Sequence, residues 1–419
     1  MVRRLVGKAA IVLVCDGMAD RPVQDYKFKT PLEVANTPHM SRLTKAGSVG
    51  LMDPVRPGVR PGSDVAHFAL LGYDPYQYYT GRGSLEAEGA GITLKPGDVA
   101  FRCNFATVDE NMKVIDRRAG RIKAGTSKLA KVLNKMQLEA VPGVKVQFQK
   151  TVEHRGVLVF SGEGISRVVS DVDPHSTGVR ILKSKPQDGT EEAARTAEGL
   201  NEFVKRSYEL LKDHPVNIER AKKGQKPANI ILPRGPGTLP SITPLPELYN
   251  IKAACIAAVA MVRGICKIAG MSLLDVKGAT GGLNTDFLAK ARAAVEASKE
   301  KDLVFVNVKA CDVASHDGDF KTKVKIIEKI DEMVGLIIDK VGLSTNYFAV
   351  TCDHCTPVNV RDHTSDPVPL AIAGPDVPSS RIPKFTENHA AAGNIGRIPA
   401  SSLIPTLMDY LGKAEKFGF

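Results

Sequence analysis

The stretch AAIVLVCDG, Ala9–Gly17, decides the fold class. Its apolar, partly β-branched run stops abruptly at Asp16-Gly17, which reads as a buried parallel strand followed by its exit turn. Two later runs repeat the pattern, Leu303–Val308 ahead of Asp312 and Tyr347–Thr351 ahead of Asp353. Among the intervening segments Ala253–Ala269, Thr285–Ser298 and Lys321–Val341 carry apolar residues at three- and four-residue steps and read as helices. Alternation of strand and helix implies an α/β fold, a parallel sheet with helices on both faces. In such sheets ligands gather beyond the carboxyl ends of the strands. Three acidic residues at three strand ends therefore point at one place.

The middle of the chain has a different texture. It shows short strands at Val144–Phe148, Gly156–Ser161 and Asn229–Leu232, and helical stretches around Gly125–Met136 and Thr190–Leu211. Between Gly89 and Ile242 there are 26 Lys and Arg against 17 Asp and Glu, so most of the net charge of +11 belongs there. The expectation is an inserted α+β domain, residues 89–242, interrupting a metal-binding domain made of residues 1–88 and 243–419. Gly- and Pro-rich connections near Gly81–Gly91 and Gly235–Pro246 read as hinges.

With 419 residues, 43% of them hydrophobic and 25% charged, the chain is long enough for a large core and is neither disordered nor fibrous. No run of eighteen apolar residues free of charge offers a membrane span. The N-terminal MVRRLVGKAAIVLVCDG lacks a small-residue cleavage site, so it reads as a first strand and not as a leader. Seven cysteines, an odd number scattered through apolar segments, fit a reducing cytoplasm. The basic stretch Lys113–Lys135 lacks interleaved aromatics and reads as a solvated helix face rather than a nucleic-acid surface.

The chemistry concentrates in Asp312-Val-Ala-Ser-His316, Asp353-His354 and His363, to which the first strand adds Asp16. Oxygen and imidazole donors of this kind suit zinc or manganese, and three carboxylates with three imidazoles suffice for two metals with open positions. Each piece alone also fits a cap, a turn or a hydrogen-bonded histidine. A second element is Arg60-Pro-Gly-Ser63-Asp-Val-Ala-His67. Ser63 fits a helix N-cap. It also fits a nucleophile, since backbone N–H groups at a helix start bind phosphate oxygens and a bound metal ionises a hydroxyl. Spacing alone leaves both open.

At greater length the motifs become recognisable. Asp16-Gly-Met, Arg60-Pro-Gly-Ser-Asp-Val-Ala-His-Phe-Ala-Leu-Leu-Gly-Tyr-Asp-Pro75, Tyr79-Thr-Gly-Arg-Gly83, Asp171-Val-Asp-Pro-His175, Gly278-Ala-Thr-Gly281, Asp312-Val-Ala-Ser-His-Asp-Gly318 and Cys352-Asp-His-Cys-Thr-Pro357 resemble those of the archaeal-type, cofactor-independent phosphoglycerate mutases of the alkaline phosphatase superfamily. The resemblance runs from the first strand to Leu411-Gly-Lys-Ala-Glu-Lys-Phe417, essentially the whole chain. It implies an alkaline-phosphatase-like domain interrupted by a phosphotransfer domain, and two divalent ions, with manganese expected first and magnesium, zinc or cobalt as alternatives. It also implies that Asp312, His316 and His363 hold one ion, that Asp16, Ser63, Asp353 and His354 hold the other, and that Ser63 is phosphorylated in turnover. His154, Arg155, Asp173, His175 and Arg234 are implied as substrate contacts. Cys355 departs from the family's Asp-His-Ser-Thr-Pro pattern.

The activity implied is interconversion of 2- and 3-phosphoglycerate through a phosphoserine, without 2,3-bisphosphoglycerate. A basic insert suits a substrate bearing both carboxylate and phosphate, and Arg suits bidentate contact with either. The alternatives are a metal-dependent phosphatase, phosphodiesterase, phosphonate hydrolase or phosphopentomutase of the same superfamily. The expected partner is a small-molecule substrate, with no nucleic acid and no membrane; the sequence leaves a homo-oligomer open.

Overall fold

A computed structural model describes residues 8–418. Within it the chain forms two compact units, one from the residues up to Tyr79 together with those from Ser241 onward, the other Thr80–Pro240. In chain order the strands are β1 (Ala10–Cys15), β2 (Ser48–Asp53), β3 (Val99–Val108), β4 (Val114–Asp116), β5 (Lys145–Lys150), β6 (Arg155–Ser161) and β7 (Ile230–Gly237). After these come β8 (Ala253–Ile256), β9 (Ser272–Leu273), β10 (Leu303–Val308), β11 (Tyr347–Thr351), β12 (Val368–Ala373) and β13 (Gly396–Pro399).

The first unit is built on a sheet of order β13-β2-β12-β11-β1-β10-β8-β9. The runs Ala9–Cys15, Leu303–Val308 and Tyr347–Thr351 are its centre: β1 lies between β10 and β11, parallel to both. Every residue of these three strands is buried, which is why they read as continuous apolar runs and not as alternating ones. β12 alone runs against its neighbours, β11 and β2. The fold class is thus α/β with a large, mainly parallel sheet. Helices Phe287–Ala297 and Phe320–Val341 pack on each other, and the first also packs on β8 and β10. One expectation is corrected. The apparent helix Ala253–Ala269 is strand β8 followed by a helix that begins only at Ala260. A four-residue strand buried throughout has no polar face, so its periodicity cannot be told from that of a buried helix.

The second unit has an antiparallel sheet, β4-β3-β6-β5, with β7 also paired to β3. Its central strand β3 alternates. Val99, Phe101, Cys103 and Phe105 enter a core with Leu158, Phe160 and Phe203 of helix Glu191–Leu211. Ala100 faces the other way, with Val157, Val159 and Ala87 of helix Arg82–Gly89. Period 2 therefore places Arg102 and Asn104 on that second face. The expected helical face Lys113–Lys135 is also corrected: it contains strand β4, a turn and a helix limited to Thr126–Leu133.

Candidate active site

The parallel pairing of β10, β1 and β11 brings their carboxyl ends to one edge, and the chain past each end supplies one buried aspartate. Asp16 follows β1 directly. Asp312 lies in the first turn of helix Ala310–Asp317, and its N–H donates to the Asp16 carbonyl at 2.9 Å. Asp353 follows β11 and accepts the Gly17 N–H at 3.1 Å. Gly17 has φ +68°, and a Cβ there would stand 2.8 Å from the Asp312 Cα, so the turn demands glycine.

Three imidazoles converge on these carboxylates in one manner. Nδ1 of His316 is bonded to the Arg361 carbonyl at 2.8 Å, Nδ1 of His363 to the Pro61 carbonyl at 2.9 Å, and Nδ1 of His354 to the Thr356 hydroxyl at 2.8 Å. Each Nε2 then approaches a carboxylate: His316 and His363 lie 3.2 and 3.5 Å from Asp312 Oδ1, and His354 lies 3.1 Å from Asp353 Oδ2. Neither Asp312 Oδ1 nor Asp353 Oδ2 has a partner in hydrogen-bond geometry, although both atoms are buried. Anchored Nδ1, Nε2 turned to the carboxylates and orphaned carboxylate oxygens are what an imidazole–carboxylate metal site needs. By distance the donors fall into Asp312, His354 and His363 in one group and Asp16, His67 and Asp353 in another. His316 stands beside the first group, and Ser63 touches His354.

Ser63 opens helix Ser63–Leu70 as its first residue. The N-cap is Gly62, and no side chain caps the helix. The serine hydroxyl instead lies 3.0 Å from His354 Nε2. The cap reading of Ser63 is thereby replaced by one in which the hydroxyl belongs to the donor cluster.

Lysine charge alone does not compensate the cluster. Three aspartates are answered by one ammonium, Lys309, whose Nζ is 2.6 Å from Asp312 Oδ2 and 3.3 Å from Asp16 Oδ1. Burial, and then the Asp353 charge, push the Asp16 carboxyl up, against Lys309. Burial would raise Asp312 too, but the imidazoles of His316 and His363 and the Lys309 ammonium hold it far below the usual range. The adjacent Asp312 carboxylate carries the His316 imidazole up to about 9. Further cation charge is the natural complement of this arrangement, and the residues present fit divalent ions.

The two loops carrying Asp16 and Asp353-His354 are joined from behind by Lys323. This lysine is fully buried and gives Nζ bonds to Asp20 Oδ2 (2.8 Å), the Ala19 carbonyl (3.2 Å) and the Thr356 carbonyl (3.1 Å). Lys323→Met would leave the Asp20 carboxylate without its cation, and breaking a buried pair in this way costs about 3–5 kcal/mol. A thermal unfolding curve of the variant indistinguishable from that of the parent would refute this.

The second unit holds its own charged cluster. β3 pairs Arg102 with Arg234 and Asn104 with Arg155, so these arginines share the face occupied by helix Arg82–Gly89. Glu86 of that helix lies 3.1 Å from Arg82 Nε and 3.5 Å from Arg102 Nε. Asp173 accepts a bidentate contact from Arg117 at 2.8 and 2.7 Å and stands 3.7 Å from Arg234. His175 Nδ1 is 3.4 Å from both Arg117 and Arg234, and its Nε2 is 3.1 Å from Asp171. The Nε atoms of Arg102 and Arg234 are buried without hydrogen-bond partners. Burial, and then the Arg82 charge, push Arg102 down to about 9. His154 is pushed down to about 4 by burial and then by Arg155 and Arg118. Of the expected substrate contacts, Arg234, Asp173 and His175 form one connected set. Arg155 belongs with the Glu86 set, and Asp173 is committed to holding arginines.

Sequence reading missed His67, Asn307 and Lys309 in the first unit and Arg82, Glu86, Arg102 and Arg117 in the second. Two signals were available: Arg102 breaks an apolar alternation in β3, and His67 follows Ser63 by one helical turn.

Fold and donor set together define a metal-dependent α/β enzyme, and its relatives give its kind. Residues 44–217 match the sequence profile of the 2,3-bisphosphoglycerate-independent phosphoglycerate mutases. The mutase of that name from Methanothermobacter thermautotrophicus is 48% identical over 409 residues, 97% of this chain and 99% of the other. A solved Pyrococcus horikoshii protein superposes with a TM-score of 0.86 at 36% identity, covering 99% of this chain and all of that one. The cofactor-independent phosphoglycerate mutase of Thermoplasma acidophilum gives 0.71 at 33%, covering 96% and 100%. The chain belongs to the 2,3-bisphosphoglycerate-independent phosphoglycerate mutases.

Proposed function

We propose that this protein interconverts 2- and 3-phosphoglycerate through a phosphoserine at Ser63, without 2,3-bisphosphoglycerate. The observation that carries the reading is the set of three imidazoles anchored through Nδ1, with Nε2 turned to buried, partly orphaned carboxylates around one serine hydroxyl. Asp16, Asp312, His316, Asp353, His354, His363 and Ser63 would hold two divalent ions, manganese first among the candidates. Such ions supply charge stabilisation for the attacking and leaving oxygens of an in-line displacement.

The residues divide the remaining work. Ser63 Oγ is the acceptor that stores the phosphoryl group while glycerate is repositioned. His354 orients that hydroxyl, and Thr356 orients His354. In the second unit, taken as the substrate-binding insert, the arginines gathered at Glu86 and Asp173 bind the carboxylate and phosphate of the substrate. Guanidiniums brought together around Glu86 and Asp173 store repulsion that an anion relieves. Glu86 and Asp173 keep them fanned in place. A cytoplasmic location is part of this proposal, supported by seven free, buried cysteines. No helix among the described residues is long and apolar enough to cross a membrane.

The direct test is equilibration of 3- and 2-phosphoglycerate by metal-loaded protein without bisphosphoglycerate. Release of inorganic phosphate with no isomer formed would overturn the mutase reading. Arg234→Ala and Arg155→Ala are each expected to slow isomerisation roughly 10–150-fold, the equivalent of about 1.5–3 kcal/mol for a charge-assisted contact. Hydrolysis of a simple phosphate ester, which needs no hold on glycerate, should change far less. Parallel loss of both activities, or loss of neither, would remove these arginines from the site.

A further inference from the structure

His67 is fully buried beside Asp16 and Asp353, and its Nε2 faces a side-chain amide where the Nε2 of His316, His354 and His363 approaches a carboxylate. Its Nδ1 lies 2.7 Å from the Ser63 carbonyl oxygen, a group that only accepts, so the ring hydrogen sits on Nδ1. Nε2 is then an acceptor, and the Asn307 side-chain amide donates to it at 3.1 Å. The second hydrogen of the same amide reaches toward Asp16 Oδ2 at 3.4 Å. Turned over, the Asn307 amide would set its oxygen against two acceptors, so its orientation follows from its neighbours. The result is one chain of contacts running from the Ser63 carbonyl through His67 and Asn307 to the Asp16 carboxylate.

Two further observations bear on what this chain is for. The Asn307 backbone carbonyl accepts Lys290 Nζ at 2.9 Å, which pins the end of β10 to helix Phe287–Ala297. The Asn307 side-chain oxygen is buried with no hydrogen-bond partner, a cost that an apolar residue in its place would not carry. What the amide offers against that cost is its two hydrogens, one to His67 and one toward Asp16. Both His67 nitrogens are engaged by this chain's own groups, Nδ1 by the Ser63 carbonyl with Asp353 Oδ2 at 3.4 Å beyond it, and Nε2 by the Asn307 amide.

We propose that His67 and Asn307 act as one positioning pair, outside the ligand set, that fixes Asp16 relative to the helix carrying Ser63 and thereby sets how tightly one of the two ions is held. The proposal rests on the assignment of Asp16 and Ser63 given above.

The test is a manganese titration of chelator-treated full-length protein, read by the paramagnetic resonance of free Mn2+, for the parent, His67→Ala, His67→Gln, Asn307→Leu and the double variant His67→Ala/Asn307→Leu. Two ions per chain are expected throughout. One should bind about 10–100-fold more weakly in His67→Ala and in Asn307→Leu, as when an outer partner of a ligand is lost. Gln, which can both donate and accept, should restore most of the affinity. The double variant should be no weaker than the worse single one, because a chain broken at either link transmits nothing. Affinities within twofold of the parent in both single variants would reduce the pair to packing, and multiplicative losses in the double variant would show two independent residues. Outright loss of one ion in His67→Ala would make His67 a ligand, and each of these three results overturns the proposal. Failure of the parent itself to bind manganese would overturn the site assignment first and this proposal with it. Should His67→Ala not fold, Asn307→Leu and His67→Gln carry the same comparison.

Discussion

Protein stripped of divalent ions by a chelator is expected to lose mutase turnover by at least about a thousandfold, beyond the roughly 10²–10³ that one lost oxyanion-hole donor costs an enzyme. The reason is the charge count at the strand ends. Asp16, Asp312 and Asp353 are buried together, and Lys309 is the ammonium that reaches into the group. A doubly charged phosphate ester would add to that negative charge. Without the ions, Lys309 and the imidazoles raised by their carboxylate neighbours are already taken up by the three aspartates, and little positive charge is left for the oxygens of the transferring group. Manganese should restore activity at least as well as magnesium, since imidazole donors favour the softer ion. An independent readout is thermal stability. An ion that binds only the folded state adds about 2.7 kcal/mol at a hundred times its Kd. Melting temperature should therefore climb as manganese is added. Full turnover in protein shown by elemental analysis to be metal-free would end the two-ion reading, and a clear magnesium preference would count against the histidine assignments.

Much of this site was legible in the sequence because parallel strands buried on both faces announce themselves as apolar runs, and the residues after them are confined to one edge of the sheet. Asp16 and Asp353 could be placed together on that ground alone. What escaped was whatever depends on side-chain direction. Asn307 sits inside an apolar run and looks like a break in a strand, although its amide is one of the groups that hold Asp16. Arg102 is hidden likewise, and only the register of β3 against β6 and β7 shows that it shares a face with Arg155 and Arg234. β8 reads as helix in the sequence because four buried residues carry no periodicity of their own. The N-cap reading of Ser63 failed by one position, a distance below what spacing resolves.

That single position governs the second large effect. Were Ser63 the cap of its helix, Ser63→Ala would cost about 0.5–2 kcal/mol of stability and leave the chemistry alone. Gly62 is the cap, however, and the Ser63 hydroxyl spends its hydrogen-bonding capacity on His354. Losing that one contact should cost only about 0.5–1.5 kcal/mol, and the methyl group of alanine leaves no cavity to speak of. The folded protein should therefore survive with its melting curve nearly unchanged. Isomerisation should fall by at least about 10⁴-fold, given that removing the serine nucleophile from a hydrolase costs on the order of 10⁶ in turnover. Incubation with phosphoglycerate labelled in its phosphoryl group should place label on the parent protein at Ser63 and leave the variant unlabelled. Both measurements bear on one atom. A variant that keeps parental rates, or a label found on some other residue, would show that the oxygen at His354 is a structural neighbour of the donor cluster and that the phosphoryl group is stored elsewhere.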